Sequence, residues 1–261
     1  MRTRVSVAVV GAVVALVVSF PAAVSASHSW NGYHWARVNN PFTLKAGDNV
    51  SGLWDSMLNT ALSDWSKSTV LDMSKVAGGT KPKSCRPTSG RVEVCSASYG
   101  NSGWLGLAQI WITGGTHITQ GIVKNNDYYF GSSTYTYNNT AEMQHVICQE
   151  IGHTLGLDHQ STSGASLNTC MDYYHNTSAS DTKSTHPNQH DYDELGIIYN
   201  HKDSFSTVGA AAAANVHAAD ASEASSWGHL IASADGGAAQ TFFLDLGGGR
   251  AVVTFVIWTS P

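Results

Sequence analysis

The chain has 261 residues, room for one large domain or two modest ones. Hydrophobic residues make up 42% and charged residues only 13%, about half the ~25% of ordinary soluble domains. Fourteen Lys and Arg against 19 Asp and Glu leave a net charge of −5, which argues against an electrostatic nucleic-acid binder, since phosphate binding needs a dense basic face. Eight Trp, 10 Tyr and 7 Phe supply too much apolar surface for a disordered chain, and the 12 His are the feature left to explain.

Arg2 and Arg4 precede an almost unbroken apolar run from Val5 to Phe20, and Val24-Ser25-Ala26 has the small-x-small form that signal peptidase cuts. The run is short for the ~20 residues a membrane span requires. Residues 1–26 therefore read as a signal peptide, and the protein as secreted, with no membrane association once the segment is removed. Four cysteines fit an oxidising compartment. They can pair in three ways; Cys85–Cys95 and Cys148–Cys170 are favoured because each closes a short loop. No Cys-x-x-Cys pair suggests a cysteine metal site.

After an aromatic start (Trp30, Tyr33, His34, Trp35), residues 42–44 predict a strand. Residues 51–65 carry Leu53, Trp54, Met57, Leu58, Ala61, Leu62 and Trp65 at helical spacing, predicting a helix. Strands are expected at 69–71, 92–94 and 105–112, and the alternating stretch 117–130 reads as an exposed strand. Thr140 predicts the cap of a helix over 141–155 that Gly156 stops, and 190–199 predicts the last helix. Residues 209–226 are rich in Ala and Ser without amphipathic pattern. The tail recovers strand character at 241–244 and 252–258 around Gly247-Gly248-Gly249, a hairpin signal.

The chemistry concentrates in Gln149-Glu150-Ile151-Gly152-His153-Thr154-Leu155-Gly156-Leu157-Asp158-His159. On a helix, positions four apart share a face, so residues 149 and 153 can address one metal ion with Glu150 alongside to act on a bound water. Gly156 can end the helix in the left-handed conformation and return His159 to the same ion. Two imidazoles, one further donor and a place for water are the plan of a catalytic zinc site. His145 lies eight residues before His153, ~12 Å of helical rise, too far to share one zinc with it. It reads as a neighbour of the site. The Gln149 amide oxygen is the best-placed third donor, harder than imidazole nitrogen and so a weaker zinc ligand.

The run resembles the extended zinc motif of the metzincin peptidases, HExxHxxGxxH, with Gln149 in place of the first zinc-binding His. Cys170-Met171-Asp172-Tyr173 is similar to the Met-turn of that clan, and the order of elements agrees. Within the clan the chain is most similar to matrixin-like secreted bacterial peptidases, over roughly residues 33–201. The resemblance implies an α+β fold: a mixed twisted sheet with an active-site helix, Met-turn and C-terminal helix, here with a small C-terminal β appendage. It implies a peptidase domain at 27–202, followed by an Ala/Ser-rich linker at 203–226 and a hairpin appendage at 227–261.

The implied function is zinc-dependent endopeptidase activity on a polypeptide substrate. Glu150 would be the general base, His153, His159 and Gln149 the metal ligands, and Met171 the apolar floor beneath the ion. Tyr173 would stabilise the oxyanion, with a packing role as its alternative. The 117–130 strand resembles the edge along which metzincins align a peptide; subsite residues are unknown. Calcium is a conceivable second ion, but no acidic loop has its ligand spacing, and Asn125-Asn126-Asp127 is too short to count. No cysteine-switch propeptide is evident, so latency would need another cause. A monomer is expected. The rivals are a catalytically weak or inactive scaffold that binds peptides or cell-surface polymers, and a carbohydrate-binding surface built from the aromatic N-terminus and tail.

Overall fold

The computed structural model describes residues 27–161, 163–210 and 223–259, so the signal-peptide reading and most of the Ala/Ser-rich segment lie outside the described residues. Nine strands form one mixed sheet: β1 (His34–Trp35), β2 (Phe42–Asn49), β3 (Leu71–Ala77), β4 (Val92–Ala97), β5 (Trp104–Thr113), β6 (His117–Asn126), β7 (His229–Ala234), β8 (Ala239–Gly247) and β9 (Arg250–Trp258). The helices are α1 (Asp55–Trp65), α2 (Asp127–Phe130), α3 (Thr140–Thr154) and α4 (Gln189–Ile198). No helix among the described residues is long and apolar enough to cross a membrane.

The strand order is β3-β2-β4-β6-β5-β9-β8-β7, with β1 beside β6. Pairings β2/β3, β2/β4 and β4/β6 are parallel, and every pairing from β6 through β5, β9 and β8 to β7 is antiparallel. This is the α+β mixed sheet expected from the sequence. The 117–130 stretch is not an exposed strand, however. Its first ten residues form β6, which lies inside the sheet between β4 and β5, and its last four form α2. The buried polar residues that made it look exposed are bonded inward: Asn125 Nδ2 donates to the Cys95 carbonyl and Asn126 Nδ2 to the Trp104 carbonyl. Thr140 is not the cap of α3 either. Asn139 is, its side chain accepting from the Glu142 N–H, so the helix begins at Thr140 itself.

The predicted tail hairpin forms as β8 and β9, and β7 extends it. Through β9 this unit joins the sheet by antiparallel pairing along β5 from Trp104↔Trp258 to Ile112↔Ala251. Seven consecutive residues of β9 are buried, the pattern of a strand covered on both faces. Val253, Phe255 and Ile257 enter the core shared with α1 and α3, while Val252 and Val256 pack with Trp104, Trp111 and Trp227 on the other face. The start of the Ala/Ser-rich segment is tied to the body: the Thr207 N–H donates to the Ala36 carbonyl and the Gly209 N–H to the Gly90 carbonyl.

Both disulfides have the pairing favoured from the sequence, Cys85–Cys95 and Cys148–Cys170. The second joins α3 to the turn after residue 169. That turn is held from several sides: the Met171 N–H donates to Thr169 Oγ1, and Asp172 Oδ2 accepts from the Leu167 N–H and the Ser184 hydroxyl.

Candidate metal centre

Helix α3 carries the motif on its last two turns and ends as the sequence predicts, with Gly156 at φ +96°. A Cβ there would lie 2.0 Å from the Tyr33 carbonyl oxygen, so glycine is required both for the left-handed backbone and for the close approach of the N-terminal segment. That segment clasps the turn: the Trp30 N–H donates to the Gly156 carbonyl and the Asp158 N–H to the His28 carbonyl. At Gly152 a Cβ would meet Met171 Sδ at 2.4 Å, which places the methionine directly beneath the helix.

This turn brings His153 and His159 together, Nε2 to Nε2, at 3.2 Å. The Nδ1 of His153 donates to the Leu157 carbonyl, so its Nε2 carries the lone pair. The Nδ1 of His159 sits 3.3 Å from Asp158 Oδ1 and 2.7 Å from the Tyr173 hydroxyl. A proton on Nδ1, donated to Asp158, is the tautomer in which the second Nε2 also presents a lone pair, as a metal ligand must. Burial, with the neighbouring His159, pushes His153 down to about 3, and burial drives His159 well below the ordinary histidine range. In that tautomer the two imidazoles have no proton to share, and a cation between them satisfies both lone pairs. In a tetrahedral zinc site with bonds of ~2.0–2.1 Å, neighbouring ligand atoms lie ~3.3–3.4 Å apart. The donor pair fits.

Gln149 and Glu150 are fully buried. The Gln149 amide nitrogen donates to the carbonyls of Cys170 (2.8 Å) and Asp172 (2.5 Å), while its Oε1 has no hydrogen-bond partner among the described residues. Both Glu150 oxygens are likewise unpartnered, and burial raises the carboxyl well above its ordinary value. A Cβ at Gly106 of β5 would come within 3.3 Å of Glu150 Oε1. Buried acceptors left without donors in the same turn as the imidazole pair are what a cation and a water would satisfy. His145 lies beside the site, as expected, with Nε2 at 3.3 Å from Gln149 Nε2 and 3.2 Å from the Asp172 carbonyl. The Tyr173 ring stacks on His159 at 3.9 Å between centroids, so its hydroxyl is already engaged with that imidazole.

The pair is covered by a ring from the C-terminal hairpin. Phe255 of β9 lies parallel to the His153 ring, centroids 4.3 Å apart and planes 5° apart, with Trp30 edge-on to its other side at 5.6 Å. The cover belongs to the strand that occupies the side of β5.

Behind the site, Glu142 anchors the chain that follows the Met-turn: its carboxylate accepts from the Asn176 N–H at 2.6 Å and pairs with His175 at 2.7 Å. Burial alone would raise this carboxyl, but hydrogen bonds from His145 and His175 hold it at about 2, against an ordinary 4.5. The unfolded chain therefore binds more protons between those values, and stability is lost as pH falls through them. The expected loss is roughly 3 kcal/mol between pH 4.5 and 2. Urea unfolding across that range checks this, with Glu142→Gln showing a correspondingly flatter profile.

The family model for Matrixin matches residues 42–200. No curated protein sequence matches the chain. Among solved structures, the fold is similar to high choriolytic enzyme 1, a hatching enzyme zinc-protease from the medaka fish Oryzias latipes, at 12% identity and a TM-score of 0.35, over 65% of this chain and 95% of that one.

Proposed function

The chain belongs to the matrixin family, a family of zinc peptidases, and on that premise we propose that it is a secreted endopeptidase held latent by its own C-terminal strand. The observation that carries the metal assignment is the 3.2 Å approach of the His153 and His159 Nε2 atoms with both Nδ1 atoms engaged elsewhere. Gln149 Oε1, buried and without a partner, is the third donor. Zinc, when bound, supplies the Lewis acidity that activates a water and a peptide carbonyl. Glu150 takes the proton of the attacking water and delivers it to the leaving amine. Tyr173 keeps the His159 imidazole oriented through its hydroxyl. Two disulfides and the signal-like N-terminus support secretion.

The described conformation is the resting one. A base must be ionised and within reach of water, yet Glu150 is sealed and burial raises its carboxyl well above the ordinary value. The side of β5 that would otherwise be a free sheet edge, able to bind an extended substrate by strand addition, is taken by β9. Displacing β9 frees that edge and lifts Phe255 from His153 in one movement.

A second reading, the inactive scaffold, is favoured by the Gln149 amide nitrogen being bound to two Met-turn carbonyls. Cleavage of an unfolded protein by the tail-displaced enzyme separates the two: chelator-sensitive hydrolysis supports the peptidase, and none at saturating zinc supports the scaffold. Gln149→His is expected to raise zinc affinity by more than about tenfold, because imidazole is the better zinc donor. Competition against a zinc indicator reads this. Unchanged affinity in that variant, together with loss of binding in His145→Ala, would mean that the ligands are misassigned.

A further inference from the structure

Two segments far apart in sequence converge at the start of β1. His34 Nε2 lies 3.1 Å from His201 Nε2 and 3.6 Å from Asp203 Oδ1, and His201 Nε2 lies 3.7 Å from the same oxygen. We propose that His34, His201 and Asp203 form a second metal site, distinct from the His153–His159 pair and selective for a zinc-class divalent cation. These spacings bracket the ~3.3–3.4 Å separation of neighbouring ligands around tetrahedral zinc.

Surrounding bonds aim each donor. His34 Nδ1 donates to the Gly32 carbonyl at 2.7 Å, which fixes the proton on that nitrogen and leaves the Nε2 lone pair facing the site. Asp203 Oδ2 accepts from the Arg37 backbone N–H at 3.1 Å and from its guanidinium at 3.0 Å, so Oδ1 is the oxygen turned to the imidazoles. That oxygen therefore faces the Nε2 atoms of His34 and His201 together. A single proton on His201 Nε2 cannot serve both His34 Nε2 and Asp203 Oδ1. A cation satisfies both.

His117, paired with His34 across β1 and β6, brings its Nε2 to 3.3 Å from Asp203 Oδ1 and stands as a fourth donor at the rim. Two or three imidazoles with one carboxylate select a borderline ion such as zinc over calcium or magnesium. His201 is partly exposed and gives the ion its entry. The bound ion would pin the N-terminal strand to the segment that follows α4, stabilising the junction from which the chain runs to its tail.

The test is zinc content after equilibration and gel filtration, with thermal unfolding read alongside. The full secreted chain is expected to hold about two equivalents and His159→Ala about one, with the double variant His159→Ala/His201→Ala holding none. Because His201 lies at the surface, the double variant should retain its fold, and Asp203→Asn in the His159→Ala background gives an independent route to the same loss. Zinc should raise the unfolding temperature of His159→Ala but not of either double variant. If His159→Ala holds no zinc, or if the His201 and Asp203 variants keep the ion that His159→Ala retains, the second site is refuted while the first is untouched.

Discussion

Phe255→Ala is expected to switch on zinc-dependent peptide cleavage by about 10²- to 10³-fold. Phe255 is fully buried, stacked on His153 and edge-on to Trp30, so its truncation removes the contact by which β9 covers the imidazole pair, while the ladder to β5 remains. Deleting a buried Phe costs ~3–5 kcal/mol. If that loss falls on the docked state of the tail, the open population rises by two to three orders of magnitude, and activity with it, until the open form dominates. Cleavage of a quenched unfolded protein at saturating zinc measures the gain, and hydrogen exchange of the β5 amides paired with β9 reports the undocking. The alternative outcome is a uniform fall in whole-chain stability with no gain in cleavage. Phe255 would then be ordinary core, and the tail part of the permanent fold.

Glu150→Gln is expected to remove cleavage by ~10²–10⁴-fold in the Phe255→Ala background, the range that general acid–base groups contribute. Its effect on the covered state should be small or stabilising, because burial disfavours the ionised carboxyl and neither oxygen has a hydrogen-bond partner among the described residues. This split between lost activity and retained stability is the signature of a group kept for chemistry. Unfolding by urea and progress curves on the same preparation read both. Equal cleavage by Glu150→Gln and its parent would remove Glu150 from the reaction.

Local periodicity made one half of the site readable. Residues 149 and 153 share a helical face, Gly156 reverses the chain, and Met171 lies in a disulfide-tied turn, all features that operate over a few residues. Helix α1 and the β8–β9 hairpin were legible for the same reason. The stretch 117–130 reads as exposed because it alternates and ends in a polar turn, yet the polar side chains of Asn125 and Asn126 are bonded to backbone groups within the structure. The pairing of β9 with β5 joins residues about 145 apart, as in the Gln109–Thr254 hydrogen bond, and nothing local announces it. The one available sign was the continuous apolar run from Val252 to Ile257, broken only by Thr254, which suits a strand covered on both faces better than an exposed hairpin arm. The His34, His201 and Asp203 cluster is likewise a product of tertiary convergence.

The most direct test of the metal assignment is anomalous diffraction at the zinc edge from zinc-soaked crystals of the protein. A peak about 2.1 Å from both His153 Nε2 and His159 Nε2, with Gln149 Oε1 as the third protein donor, is the predicted result. A zinc-loaded crystal with no density between those imidazoles, or with an ion there that Gln149 does not touch, would contradict it.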